Sequence, residues 1–136
     1  MFALCQGKAM QMAPADVCKT AVGPAVVPMP YPNISYSASA TSVVGHVLFE
    51  GLPAVTQAAK DAVSTGDEAG ASGGGGVVSS KVCGQTTYIK GCSTIFVGGA
   101  PLQRLTSVTG QNAEGGTENA VGGSYTPAQT TVLTLG

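Results

Sequence analysis

Five side chains in this sequence could ligate a soft metal or serve as nucleophile and base: Cys5, Cys18, Cys83, Cys92 and the single histidine, His46. Four thiols and one imidazole are enough for a tetrahedral zinc site, and Cys18, His46, Cys83 and Cys92 are the candidate ligands. The spacings are irregular and contain no Cys-x-x-Cys pair. Each cysteine therefore also reads as a small apolar side chain packed in a core. A Cys–His nucleophile would need one of Cys18, Cys83 or Cys92 beside His46, and no spacing supports that. Asp67-Glu68 is an adjacent carboxylate pair of the kind that is usually solvated on a loop. The glycine run Gly73-Gly74-Gly75-Gly76 leads into Val77-Val78 and not into the Lys-Ser/Thr of a phosphate-binding loop. No Gly-x-Ser-x-Gly elbow is present. The chain does not read as an enzyme.

The elements that would position these residues are strands and turns. Thr86 to Ile89 and Thr94 to Val97 favour a pleated backbone, with Lys90-Gly91 as the expected hairpin turn between them. Gly98-Gly99 is expected to end the second strand, and Pro101 to prevent its continuation. This stretch has a twin. Val47-Leu48-Phe49-Glu50-Gly51-Leu52-Pro53-Ala54 lies over Ile95-Phe96-Val97-Gly98-Gly99-Ala100-Pro101-Leu102 at an offset of 95 − 47 = 48 residues. Thr131 to Gly136 is a third, partial copy without its proline. Such a period predicts one supersecondary unit used several times around a shared core.

Pro28-Met29-Pro30-Tyr31-Pro32 must be extended and cannot be a central strand, and Pro32-Asn33 reads as a turn. Residues 54–65 are the one helix candidate, since Val55, Ala58, Ala59, Ala62 and Val63 share a helical face and Gly66 follows. The Gly66 to Gly76 segment reads either as a flexible linker or as backbone packed too closely for side chains, and the flanking strands favour the second. Gln111 to Ser124 reads as a loop.

Over 136 residues the expectation is one domain, residues 1–136, mainly β, with at most one short helix. Aromatic residues make up 5% with no Trp, so the core is expected to be Val, Leu, Ile, Ala and Met. Charged residues are 10%, well under the usual quarter, which points to a surface partly covered by a partner. A net charge of −1 argues against a nucleic-acid partner. Met1 to Cys5 lacks the basic and apolar regions of a secretory signal, and no run approaches a membrane span. The expectation is synthesis and retention in the cytoplasm.

The order of motifs along the whole chain resembles the PAAR-like proteins that tip the spike of type VI secretion systems. The residues that carry the resemblance are Pro14-Ala15-Asp16-Val17-Cys18-Lys19-Thr20, Pro28 to Ile34, Val47 to Ala54, Gly66-Asp67-Glu68-Ala69-Gly70 and Phe96 to Asn112. Pro127-Ala128-Gln129 with Thr131-Val132-Leu133 completes it. The Pro-Ala-Ala-Arg signature stands here as Pro101-Leu102-Gln103-Arg104, and its first copy as Pro53-Ala54-Val55-Thr56. The resemblance implies a small cone of short β-hairpins with a pseudo-threefold arrangement. One copy would cap a trimeric β-helical spike of the VgrG type, sharpen it for membrane puncture and help load effectors. The close alternative is an adaptor linking a separately encoded toxic effector, or its chaperone, to the spike, or the tip of a related contractile injection particle. The protein would wait in the cytoplasm and leave with the spike on firing. The family also implies zinc near the apex, held by His and Cys. Here Ser72 stands where the histidine of a Gly-Asp-x-x-x-His-Gly-Gly element would be, which leaves the ligands open.

Overall fold

The computed structural model of the chain describes residues 1–135. It is mainly strand and turn, as expected. The strands are β1 (Met10–Val22), β2 (Ala25–Tyr36), β3 (Ala40–Thr41), β4 (Val44–Phe49), β5 (Leu52–Ala54), β6 (Lys60–Asp61), β7 (Ser64–Thr65), β8 (Gly75–Gly76), β9 (Gln85–Lys90), β10 (Phe96–Val97), β11 (Ala100–Pro101), β12 (Val108–Ala113) and β13 (Ala120–Ser124). Two 3-10 turns, Ser37–Ser39 and Glu68–Gly73, are the helical elements among the described residues. No described helix is long and apolar enough to cross a membrane.

One sheet of nine strands forms the larger part, in the order β3-β6-β9-β12-β13-β1-β2-β7, with β8 added on β1. Its longest component is the β1–β2 hairpin, turned at Gly23, whose φ is +60°. A bulge interrupts the pairing between Ala13 and Asp16, where Pro14 has no N–H to give. Pro28, Pro30 and Pro32 recur at every second position of β2. A proline nitrogen directed at β1 would break the ladder, so all three fall on the outer edge, which β7 covers only at Ile34 and Ser35. That edge is therefore stripped of donors and resists strand addition. The extended, non-central reading of this stretch holds, but Pro32-Asn33 lies inside β2 and is not a turn.

The smaller part is three-sided. The Leu4 N–H donates to Gln103 O (2.9 Å), the Gln103 N–H to Val55 O (3.0 Å), and the Val55 N–H to Leu4 O (3.1 Å), closing a cycle. A second cycle surrounds it: Gln6 N–H to Pro53 O (2.8 Å), Gln57 N–H to Pro101 O (2.9 Å), and Leu105 N–H to Phe2 O (2.8 Å). The bridges Cys5–Ala54, Thr56–Leu102 and Ala3–Arg104 repeat the relation a third time. Three strand segments, centred on Leu4, Val55 and Gln103, are thus related by a pseudo-threefold axis.

Several local expectations give way to this arrangement. Residues 54–65 form no helix: Ala54 to Gln57 are taken up by the three-sided pairing, and β6 and β7 join the large sheet. A helical face of three alanines and two valines buries too little to compete with those ladders. The expected hairpin at Lys90-Gly91 is also absent, because β9 pairs with β6 and β12 and not with the strand that follows it. Gln111 to Ser124 is not a loop but most of β12 and β13, joined by the tight turn at Glu114–Thr117. The interior differs in kind as well. Its apolar members are Ala, Leu, Cys, Val and Tyr, and beside them Gln11, Asn33, Asp61, Thr86, Thr109, Gln111 and Asn112 are fully buried. Asp61 accepts from Ser35 Oγ (2.8 Å) and Tyr88 Oη (2.9 Å), and Thr86 Oγ1 donates to Gln111 Oε1 (2.5 Å). Polar strands that looked like loop are core because their side chains bond one another.

Candidate functional site

Two features stand out, one at the three-sided end and one in the sheet. At the three-sided end the 48-residue repeat becomes geometry. In β4–β5, Leu48 faces Pro53 and Phe49 faces Leu52; in β10–β11, Phe96 faces Pro101 and Val97 faces Ala100. Both hairpins turn on two residues with positive φ, Glu50 (+52°) and Gly51 (+79°) in one, Gly98 (+60°) and Gly99 (+84°) in the other. That is the turn whose twist suits a two-residue hairpin. Gly98-Gly99 is therefore the turn of a hairpin and not merely the end of a strand.

The third hairpin is built from both ends of the chain. Leu133 bridges Phe2, the Ala3 N–H donates to Val132 O (3.0 Å), and the Thr134 N–H donates to Met1 O (2.6 Å). The partial third copy over Thr131 to Leu135 thus takes its place, with Met1 to Leu4 as its other strand.

Alternation does the same thing in all three hairpins. Val47, Phe49, Ile95, Val97 and Val132 pack inward against Ala3, Ala54, Cys92 and Leu102. The residues between them, Leu48, Phe96 and Leu133, turn outward at 55%, 61% and 63% exposure. The outcome is three equivalent, exposed apolar side chains about one axis, each backed across its hairpin by Pro53, Pro101 or Phe2.

The second feature is a buried group of acids, thiols and carboxamides. β1 holds Asp16 and Cys18, two residues apart and so on one face. The Glu68–Gly73 turn brings Asp67 over them, because Gly70 and Gly73 let its backbone lie on Cys18 and Lys19 where any Cβ would collide. The close-packed reading of the glycine segment is the observed one. Cys83 (φ +52°) gives its N–H to Asp67 Oδ1 (3.2 Å) and its thiol to the same oxygen (3.6 Å). The Cys18 thiol points at Asp67 Oδ2 (3.8 Å) and Asp16 Oδ1 (4.0 Å).

Three asparagines hold the acids. Asn33 Nδ2 donates to Asp16 Oδ2 (2.7 Å), and Asn112 Nδ2 donates to both Asp16 (2.5 Å) and Asp67. Asn119 Nδ2 donates to Asp16 and to Val17 O (2.9 Å). Burial, then the charges of Asp16 and Asp67, push the Cys18 thiol up to about 12. Burial, then Asp67 and Glu68, push Cys83 up to about 11. Neither thiol is a nucleophile near neutrality in these surroundings.

Of the four ligand candidates named from sequence, the structure brings Cys18 and Cys83 together through Asp67. Cys92 lies in the apolar cluster of the three-sided end, its thiol 3.8 Å from Thr134 Oγ1. His46 lies exposed on β4. A His-and-Cys set is therefore not assembled. Two groups of metal-ligating type do form, Asp16–Cys18–Asp67 and Asp67–Glu68–Cys83, the ligand atoms of each within 4.8 Å of one another. Sulfur and carboxylate oxygen are donors that zinc accepts. From sequence, Asp16 stands out only as part of a family motif and not as a ligand, and Asp67 reads as half of a solvated pair. The available signal was Asp16-x-Cys18 on a strand.

Compared with known families, residues 9–122 match the profile described as a toxin PAAR-like domain. No curated protein and no solved structure matches the chain.

Proposed function

This chain belongs to the toxin PAAR-like domain family, and on that basis we propose that it is a structural tip protein. One copy seats on the blunt end of a trimeric β-helical spike of the VgrG type, in a type VI secretion apparatus or a related contractile particle. The observation that carries this reading is the three-sided end. A monomer presenting Leu48, Phe96 and Leu133 at equivalent positions about one axis offers each chain of a homotrimer a similar contact. The sparse charge of the chain fits an apolar interface, and membrane passage follows from being carried at the front of the spike. The role is structural and not enzymatic. A zinc ion belongs to this reading as an internal staple.

A second reading, an adaptor for a separately encoded effector, draws on another surface. Tyr36, Val121 and Tyr125 remain exposed along the large sheet. Deleting the gene would then abolish effector delivery while leaving sheath firing intact.

The test of the first reading is co-purification with the spike protein, followed by gel filtration with light scattering at low and high salt. One copy per three spike chains, stable at high salt, is expected, since apolar contacts are not screened. Leu48→Asp, Phe96→Asp and Leu133→Asp should each weaken the complex, because each buries an unpaired charge. A 3:3 assembly, or a complex that falls apart as salt rises, would overturn it.

A further inference from the structure

The group at Asp16, Cys18, Asp67 and Cys83 lies in the sheet, away from the three-sided end. We infer that it is the binding site of one divalent cation of the zinc class, held by Asp16, Cys18 and Asp67, whose ligand atoms lie within 4.8 Å of one another, with Cys83 drawn in from the adjoining group through the shared Asp67 as the fourth ligand. The ion ties the root of the β1–β2 hairpin to the Glu68–Gly73 turn and the Cys83 loop. This does not rest on the docking reading and is tested on the isolated chain.

Charge balance is the first argument. Asp16 and Asp67 are fully buried and share the Nδ2 of one asparagine. No cationic side chain bonds either of them; the ion pair found among the described residues is Lys81–Glu114, on the surface. Two like charges buried side by side are strongly unfavourable without a counter-charge. Three carboxamide dipoles offset part of this; a divalent ion bonds both carboxylates directly, and with the two sulfurs bound as thiolates the site carries the same charge as a four-thiolate zinc site.

An orphaned atom points the same way. Asn33 is fully buried and its amide is turned onto Asp16 by the Nδ2 bond, yet its Oδ1 has no donor. That leaves one more oxygen, unused, beside the acids.

The support around the acids is also that of a held ligand set. Asn119 Oδ1 accepts from the N–H groups of Val78 (2.8 Å) and Ser79 (3.3 Å), and Asn112 Oδ1 from that of Gly84 (2.7 Å). Both carboxamides are thereby fixed, and their Nδ2 groups orient the carboxylates from behind. Once the thiols lose their protons, Asp16 Oδ1 and Asp67 Oδ1 each have a lone pair free for an ion. Calcium or magnesium would want six or more oxygens; two sulfurs with two carboxylates suit four-coordinate zinc. On binding, the two thiol protons pass to solvent.

The full chain, purified without chelator or added metal, is assayed by elemental mass spectrometry. It is then stripped and titrated with zinc, following the thermal midpoint, and with cobalt, following sulfur-to-metal charge-transfer absorption. About one equivalent of metal, a midpoint raised by zinc, and a thiolate band with cobalt are expected. Asp67→Asn and Cys18→Ser should weaken zinc binding by about tenfold or more, and Cys92→Ser should leave it unchanged. If the group is a metal-free polar network, the signs reverse. Stripping would then change nothing, and Asp67→Asn, which removes one of two facing charges, would leave the midpoint unchanged or higher; either result overturns the proposal. Cobalt binding without a thiolate band overturns the ligand set. Should Asp67→Asn fail to fold, the wild-type chain with and without chelator decides alone.

Discussion

Among single residues, Gln103 is the one at odds with its symmetry mates. Leu4 and Val55 occupy the equivalent corners of the inner hydrogen-bond cycle, and all three are fully buried. Gln103 alone brings an amide, and neither its Nε2 nor its Oε1 finds a partner. A buried, unpaired polar group costs about 1–3 kcal/mol. Gln103→Met keeps the length of the side chain and removes the amide, so it should raise the free energy of unfolding by about 1–2 kcal/mol in a urea titration. A loss of stability would mean that the amide is bonded to trapped water.

At the scale of elements, the two internal hairpins should respond alike to the same change. Gly51 and Gly99 both hold a left-handed φ, and a Cβ at either would meet nothing within 4 Å. Gly51→Ala and Gly99→Ala therefore isolate backbone strain, and each should cost about 1–2 kcal/mol in the same titration. A large difference between them would show that the turns are not equivalent. The repeat that relates these hairpins was legible in sequence because glycines and prolines punctuate both copies in the same register, but Gly98-Gly99 read as a strand end and not as the turn. The third was half hidden. Met1-Phe2-Ala3-Leu4 has neither glycine nor proline, and its partner strand lies at the far end of the chain. Thr86 to Val97 misled for the opposite reason: local propensity marked β9 and half of the second stretch, Phe96–Val97, as strand but could not say that each would pair elsewhere. In the buried group, the thiols of Cys18 and Cys83 were visible as chemistry. Asp16, Asp67 and the three asparagines were not, since the contacts that join them span 17 to 103 residues of sequence.

For the molecule as a whole, the division of labour follows from where polar groups are buried. The three-sided end packs apolar side chains inward and presents apolar side chains outward, so it suits a neighbour. The large sheet buries bonded polar groups, and prolines seal the outer edge of its long hairpin. Such an edge does not recruit foreign strands, which matters for a chain with few surface charges to keep copies apart.

The hairpin made from both chain ends carries a topological consequence. Met1 and Thr134 exchange backbone hydrogen bonds in both directions, just as paired residues do beside a tight turn. Two of the three comparable corners are thus closed by a covalent turn and the third by hydrogen bonds. A permuted gene that begins at Gly99 and ends at Gly98, with a two-residue link bridging the original ends, should yield a protein with the same cooperative unfolding and the same circular dichroism. A molten product would show instead that assembly depends on which corner is left open.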